Sequence, residues 1–139
     1  MTDTNMMIEN TKKLADVCKR FEKCEFVTLD TEFIREKTYY PVLCLIQIAS
    51  KDEAYCIDPL SADLDLAPLL DLLQNKKVLK VFHAARQDVE IFYQLTGKVP
   101  EPIFDTQIGA MVCGFNESVS YQQLVQELSL KLLPVCRIC

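Results

Sequence analysis

Residues 42–57 read VLCLIQIASKDEAYCI, and this stretch decides the fold class. Val42 to Ala49 is apolar at nearly every position, the pattern of a strand covered on both faces. Ala54 to Asp58 is its partner, and Lys51-Asp52-Glu53 is a link so short that the two strands pair as an antiparallel hairpin. On the N-terminal side, Thr11 opens a helix as its N-cap, with Leu14, Val17, Cys18 and Phe21 at helical spacing. Phe26 to Leu29 is a short strand rich in β-branched and aromatic residues, ending at Asp30. Past the hairpin the period changes. Asp63 to Gln74 predicts a helix, Val78 to Phe82 a strand, and Gln87 to Leu95 a helix stopped by Gly97 and Pro100. Ile103 to Thr106 is a further strand. Gln107 to Cys113 and Tyr121 to Leu128 are helices, the latter capped by Ser118 or Ser120. Antiparallel pairing first and β-α-β alternation afterwards predict an α/β fold with a mixed sheet flanked by helices.

The chain has 139 residues, one domain's length, and half of it is hydrophobic, enough for a sizeable core. Three glycines and no tryptophan argue against a turn-rich all-β chain or a disordered one. No apolar run spans a bilayer, and the polar, acidic N-terminus is not a secretory signal. Seven cysteines without such a signal point to reduced thiols in the cytoplasm, with Cys44 and Cys56 serving as small hydrophobes. The net charge of −5 disfavours a general polyanion binder, although a nuclease that reaches phosphate through bound cations can be acidic. Lys76, Lys77 and Lys80 are expected to form a solvated turn and strand edge. Lys12, Lys13, Lys19, Arg20 and Lys23 are expected to form a helix surface.

Two stretches carry chemistry. In Asp30-Thr31-Glu32 two carboxylates stand two apart at a strand end, so both point to one face and crowd charge that a cation would relieve. Oxygen donors of this kind suit Mg²⁺ or Mn²⁺ better than zinc, while a solvated strand terminus is the plainer reading of so short a motif. Phe82 to Asp88 spans a strand-to-helix junction, where ligands of α/β sheets collect. Asp88 falls in the first helical turn, a position the helix dipole also favours for a carboxylate. His83 is the single histidine. Its loop position beside Arg86 suits contact with a phosphate or sugar as well as a structural hydrogen bond. Asp58 and Asp105 end strands, and Asp105 is expected to brace the backbone.

These stretches together resemble the ribonuclease D family. FVTLDTEF, Phe26 to Phe33, resembles its first exonuclease motif and FHAARQDVEIF, Phe82 to Phe92, its second. Thr38 to Pro41, Leu43 to Ala49 and Ile103 to Gln107 are similar as well, so that the resemblance runs from about Thr11 to about Leu128. It implies a ribonuclease H-like fold and 3′→5′ exoribonuclease activity by two-metal hydrolysis, on RNA 3′ ends such as those of transfer-RNA precursors. Carried over, Asp30 bridges two Mg²⁺ or Mn²⁺ ions, Glu32 holds the ion that activates water, and Asp88 the ion near the leaving group. Phe33 and His83 seat the terminal nucleotide.

The family's third motif is a tyrosine followed four residues later by an aspartate, but Tyr121 is followed by Val125 and no aspartate occurs after Asp105. The expectation is a partial exonuclease domain over residues 1–128, incomplete at its C-terminal part, then an atypical tail over residues 129–139. In that tail Cys136 and Cys139 lack the further ligands a zinc site needs. Low turnover is expected, or a non-catalytic nucleic-acid-binding product. A metal-dependent phosphatase is the weaker alternative, because Glu32 stands where that class carries a second aspartate. A soluble cytoplasmic protein without membrane contact completes the expectation.

Overall fold

The computed structural model describes residues 6–36 and 39–128. The elements are β1 (Met7–Ile8), α1 (Thr11–Phe21), β2 (Phe26–Ile34), β3 (Val42–Ala49), β4 (Ala54–Ile57), α2 (Ala67–Gln74), β5 (Leu79–Phe82), α3 (Arg86–Thr96), β6 (Ile103–Asp105), α4 (Thr106–Val112) and α5 (Tyr121–Leu128). They build one sheet in the order β1-β4-β3-β2-β5-β6. β2, β3 and β4 pair antiparallel, while β1, β5 and β6 join in parallel. This is the mixed sheet that the change of period predicts.

Local chemistry accounts for the boundaries that differ. Asn10 caps α1 in place of Thr11, its side chain accepting from Lys13 N–H. The Thr11 hydroxyl is engaged elsewhere, donating to the Asp63 carbonyl and accepting from Asp65 N–H. α2 begins at Ala67 rather than Asp63, because the Asp65 side chain accepts from Ala67 N–H and turns the chain just before Pro68. β2 runs on past Leu29 to Ile34, since β3 pairs with it along that whole length. α3 ends at Gly97, which takes φ +68° and donates its N–H to Tyr93.

The two faces of the sheet are unlike. α1, α2 and α3 bury Leu14, Val17, Phe21, Leu69, Leu72 and Phe92 against Val27, Leu29, Ile46, Ile48, Ile57 and Phe82 in one cluster. The opposite face is only half-covered. In β3, buried Leu43, Ile46 and Ile48 are separated by partly exposed Cys44, Leu45, Gln47 and Ala49, so the expectation of burial on both faces holds for one face only. Burial keeps the Cys18 thiol inert: desolvation, with the nearby charges of Glu22 and Asp71, pushes it up to about 12.

Lys80 corrects a second expectation. It lies on the core face of β5 and is 0% exposed. Its Nζ donates to the carbonyls of Asn75 (2.6 Å), Val78 (2.8 Å) and Glu101 (2.9 Å). An ammonium has three donors, and here all three are used. Burial pushes the group down to about 8, partly opposed by Glu101, and the carbonyls offset the cost of the charge. Lys80→Met should therefore lower unfolding free energy by about 2–4 kcal/mol, because it strands these carbonyls. A urea denaturation curve measures it.

Candidate active site

β2 carries the acidic pair. Directly opposed residues of an antiparallel pair share a face, and Asp30 opposes Gln47 while Thr28 opposes Ala49. Thr28, Asp30 and Glu32 thus stand on the half-covered face and Val27, Leu29 and Thr31 on the core face. Glu32 pairs with Leu45 but Phe33 with Leu43, so Cys44 is an extra residue on β3 and the strand pair is bulged at the acidic end. Phe33 stays on the core side and packs against the core cluster. A cleft of about 490 Å³ opens over the other face. Asp30, Glu32, Gln47 and Val81 line it, with His83, Thr106 and Tyr121 at one border and Tyr55 and Cys56 at the other.

Asp88 reaches the same strand from α3. β5 pairs with β2 only as far as Thr28 opposite Val81. Beyond that register the β2 edge is taken by the Asp88 carboxylate, which is 6% exposed. Asp88 Oδ1 accepts from the Thr31 N–H (3.1 Å) and from the Thr31 hydroxyl (2.5 Å). Burial raises the Asp88 carboxyl above its ordinary value; the Thr31 hydroxyl opposes this and the charge of Asp30 adds to it. Asp30 and Asp88 are thus electrostatic neighbours. Among the described residues no three side chains of His, Cys, Asp or Glu converge as a ready metal cage. The donors present are all carboxylate oxygens on or beside β2, a set chemically suited to a hard divalent cation.

The junction of β5 and α3 holds Asp88 in place. Ala84 adopts φ +56°, a left-handed conformation unfavourable for a residue with a Cβ. Asp105 sustains it. Its Oδ1 accepts from Ala84 N–H (3.0 Å) and Gln107 N–H (2.8 Å), and its Oδ2 from Ala85 N–H (2.8 Å). Burial alone would raise the Asp105 carboxyl, but the N–H groups of Ala85, Gln107 and Ala84 outweigh it and hold it below the usual range. Asp105 therefore braces the backbone as expected, and caps α4 as well. His83 lines the cleft with both ring nitrogens engaged: Nδ1 with the Thr106 hydroxyl (2.9 Å) and Nε2 with the Val119 carbonyl (3.0 Å). Its ring meets Tyr121 edge-on at 5.8 Å. What it offers the cleft is ring surface rather than a free nitrogen.

Sequence reasoning did not single out Thr31, Gln47, Thr106 or Tyr121 for this site. Thr31 carried a signal, a polar residue in the alternation at a core-face position. Thr106 and Tyr121 carried none, because only the tertiary fold brings them to His83.

Two outcomes follow from these bonds. Asp105→Ala removes three acceptor contacts and should cost about 3 kcal/mol at neutral pH. Because the folded-state carboxyl is depressed, that contribution is present above the ordinary carboxylate range and lost as pH falls through the folded value. Melting curves of variant and parent should converge on acidification. Asp88→Asn should do the reverse in chelator. It keeps an acceptor for Thr31 and removes a buried charge beside Asp30, so it melts higher than the parent at neutral pH. The gap closes as acid protonates Asp88 in the parent.

A family model described as 3′-5′ exonuclease matches residues 5–134. The chain is 52% identical over 123 residues to the ribonuclease D of Nitrobacter hamburgensis, an alignment covering 88% of this chain and 32% of that protein. It is 54% identical over 120 residues to the ribonuclease D of Bartonella henselae, covering 86% and 30%. The chain thus spans about a third of the length of these relatives. The fold superposes on the crystal structure of Escherichia coli RNase D, an exoribonuclease involved in structured RNA processing, with a TM-score of 0.84 at 38% identity, covering 91% of this chain and 34% of that one.

Proposed function

The chain belongs to the 3′-5′ exonuclease family, and from that premise we propose that it acts as a ribonuclease D-type exoribonuclease domain, hydrolysing phosphodiester bonds at RNA 3′ ends. The reading rests above all on one observation. Asp30 and Glu32 face a nucleotide-sized cleft from β2, and Asp88 is bonded to the residue between them. The family depends on divalent metal ions, and Asp30, Glu32 and Asp88 would hold Mg²⁺ or Mn²⁺ here. Such ions, when bound, supply an activated water and charge stabilisation for the leaving oxygen.

The remaining cleft residues have roles of their own. The rings of His83 and Tyr121 present flat apolar surface to a base. Of the two residues expected to seat the nucleotide, His83 borders the cleft and Phe33 lies behind β2, so His83 takes the stacking role. Gln47 and Thr28 offer hydrogen bonds beside Asp30. RNA with a free 3′ end, transfer-RNA precursors included, is the proposed substrate. A cytoplasmic setting, in which the thiols stay reduced, is part of this proposal. No helix among the described residues is long and apolar enough to cross a membrane.

Residues 106–139 contain no aspartate. The tyrosine–aspartate motif of the ribonuclease D resemblance is therefore not among these residues, and a non-catalytic nucleic-acid-binding role for this chain is the second reading. With Mn²⁺, this chain should trim a 5′-labelled single-stranded RNA stepwise from its 3′ end, at least about a hundredfold more slowly than a full-length relative. Asp30→Asn should abolish the residual trimming. Internal cleavage, or trimming that survives Asp30→Asn, would overturn the assignment. Tight RNA binding with no trimming would favour the second reading.

A further inference from the structure

We infer that Thr31 is a positioning residue for Asp88, fixing which of its carboxylate oxygens faces a cation; this rests on the exonuclease reading above. Thr31 stands between Asp30 and Glu32, but alternation turns its side chain to the opposite face of β2, where it is 6% exposed. Its neighbours on that face are Leu29 on the same strand and Ile46 directly across on β3. Valine would serve a strand at such a position at least as well, and a buried hydroxyl is costly unless it is bonded. The hydroxyl has one bond to explain it: it donates to Asp88 Oδ1, at 2.5 Å.

The Thr31 N–H donates to that same oxygen at 3.1 Å. Oδ1 is thereby committed to the protein, and Oδ2 is the oxygen that would be left to a cation. β-branching restricts the threonine χ1, so the hydroxyl is held in place rather than found by chance. One residue thus ties the Asp88 carboxylate to the strand segment that carries Asp30 and Glu32. The β5–α3 junction brings Asp88 to β2, and these two hydrogen bonds fix its carboxylate against the strand segment that carries the other motif. A residue that bonds and orients a ligating carboxylate in this way is generally worth tenfold or more in metal affinity.

The test is Mn²⁺ calorimetry on the whole chain and on Thr31→Val, Thr31→Ser and Asp88→Asn, with melting curves in chelator for each. Thr31→Val should weaken Mn²⁺ binding about tenfold to a hundredfold while Thr31→Ser, which keeps the hydroxyl, stays within about threefold of the parent. A purely structural role would move the melting curve and leave the affinity alone. Parent-like affinity in Thr31→Val, with binding lost in Asp88→Asn, overturns the role of Thr31 and leaves the metal reading standing. Undiminished binding in Asp88→Asn overturns the metal reading itself. Should Thr31→Val fail to fold, the Thr31 amide resonance of the parent carries the test. It should shift in a saturable way on Mg²⁺ titration and stay still in Asp88→Asn. An amide insensitive to Mg²⁺ in the parent overturns the inference.

Discussion

Past Thr28, strand β2 has no strand partner on the side of β5, and the Thr31 N–H would face a bare edge were it not for the Asp88 carboxylate. An unpaired backbone donor at a buried position is costly, and so is a buried carboxylate. Each relieves the other. The arrangement also explains why the two acidic motifs, more than fifty residues apart in sequence (|i−j| = 57), meet at one strand. A parallel neighbour that stops early leaves room at its own C-terminal end, and the helix that follows fills the gap with its first turn. Ligand sites of α/β sheets occur at strand carboxyl ends for the same reason.

That first turn must be delivered at the correct angle, which is the task of Ala84 and Asp105. A left-handed alanine persists only where its surroundings over-determine it. Here one carboxylate from the end of β6 gathers the N–H groups of Ala84 and Ala85 within the β5–α3 junction and that of Gln107 at the start of α4. Three parallel-side elements are thus locked by one side chain, and His83 is fixed between Thr106 and Val119 by the same packing. The acidic end of the sheet is therefore rigid on its β5 side, where α3 approaches. On the β3 side it is bulged at Cys44.

How much of this could be read from the residues follows the range of each signal. Helix spacing in Leu14, Val17, Cys18 and Phe21, the short Lys51-Asp52-Glu53 link and the Gly97 stop are local, and α1, the β3–β4 hairpin and the end of α3 stand where they point. β1 has two residues, too few for any period, and exists because Cys56 and Ile57 offer it an edge. Lys80 reads as a surface lysine, because nothing in the chain foretells three carbonyls converging from Asn75, Val78 and Glu101. Asp30, Glu32 and Asp88 stand out as residue types, Asp88 in the first turn of its helix as expected, whereas Asp30 and Glu32 lie within β2 and not at its end. That Thr31 is the link between them depends on register, which sequence patterns leave open. The proposed tail, residues 129–139 with Cys136 and Cys139, lies outside the described residues.

The division of labour between the two faces carries a last consequence. The large apolar side chains of α1, α2 and α3 are spent on one face, and the cluster they form includes none of Thr28, Asp30, Glu32 or Gln47. The cleft face can therefore concentrate charge without removing packing from the core, and exposed Asp30 and Glu32 keep most of their hydration. Asp88 differs, being buried, raised by desolvation and anchored to a core-face threonine. Burial opposes its ionisation, and a neighbouring cation would relieve that cost. Cation binding would thus be coupled to folding through Asp88. A sheet built this way can lose or gain activity at its exposed acidic pair while its stability is set elsewhere.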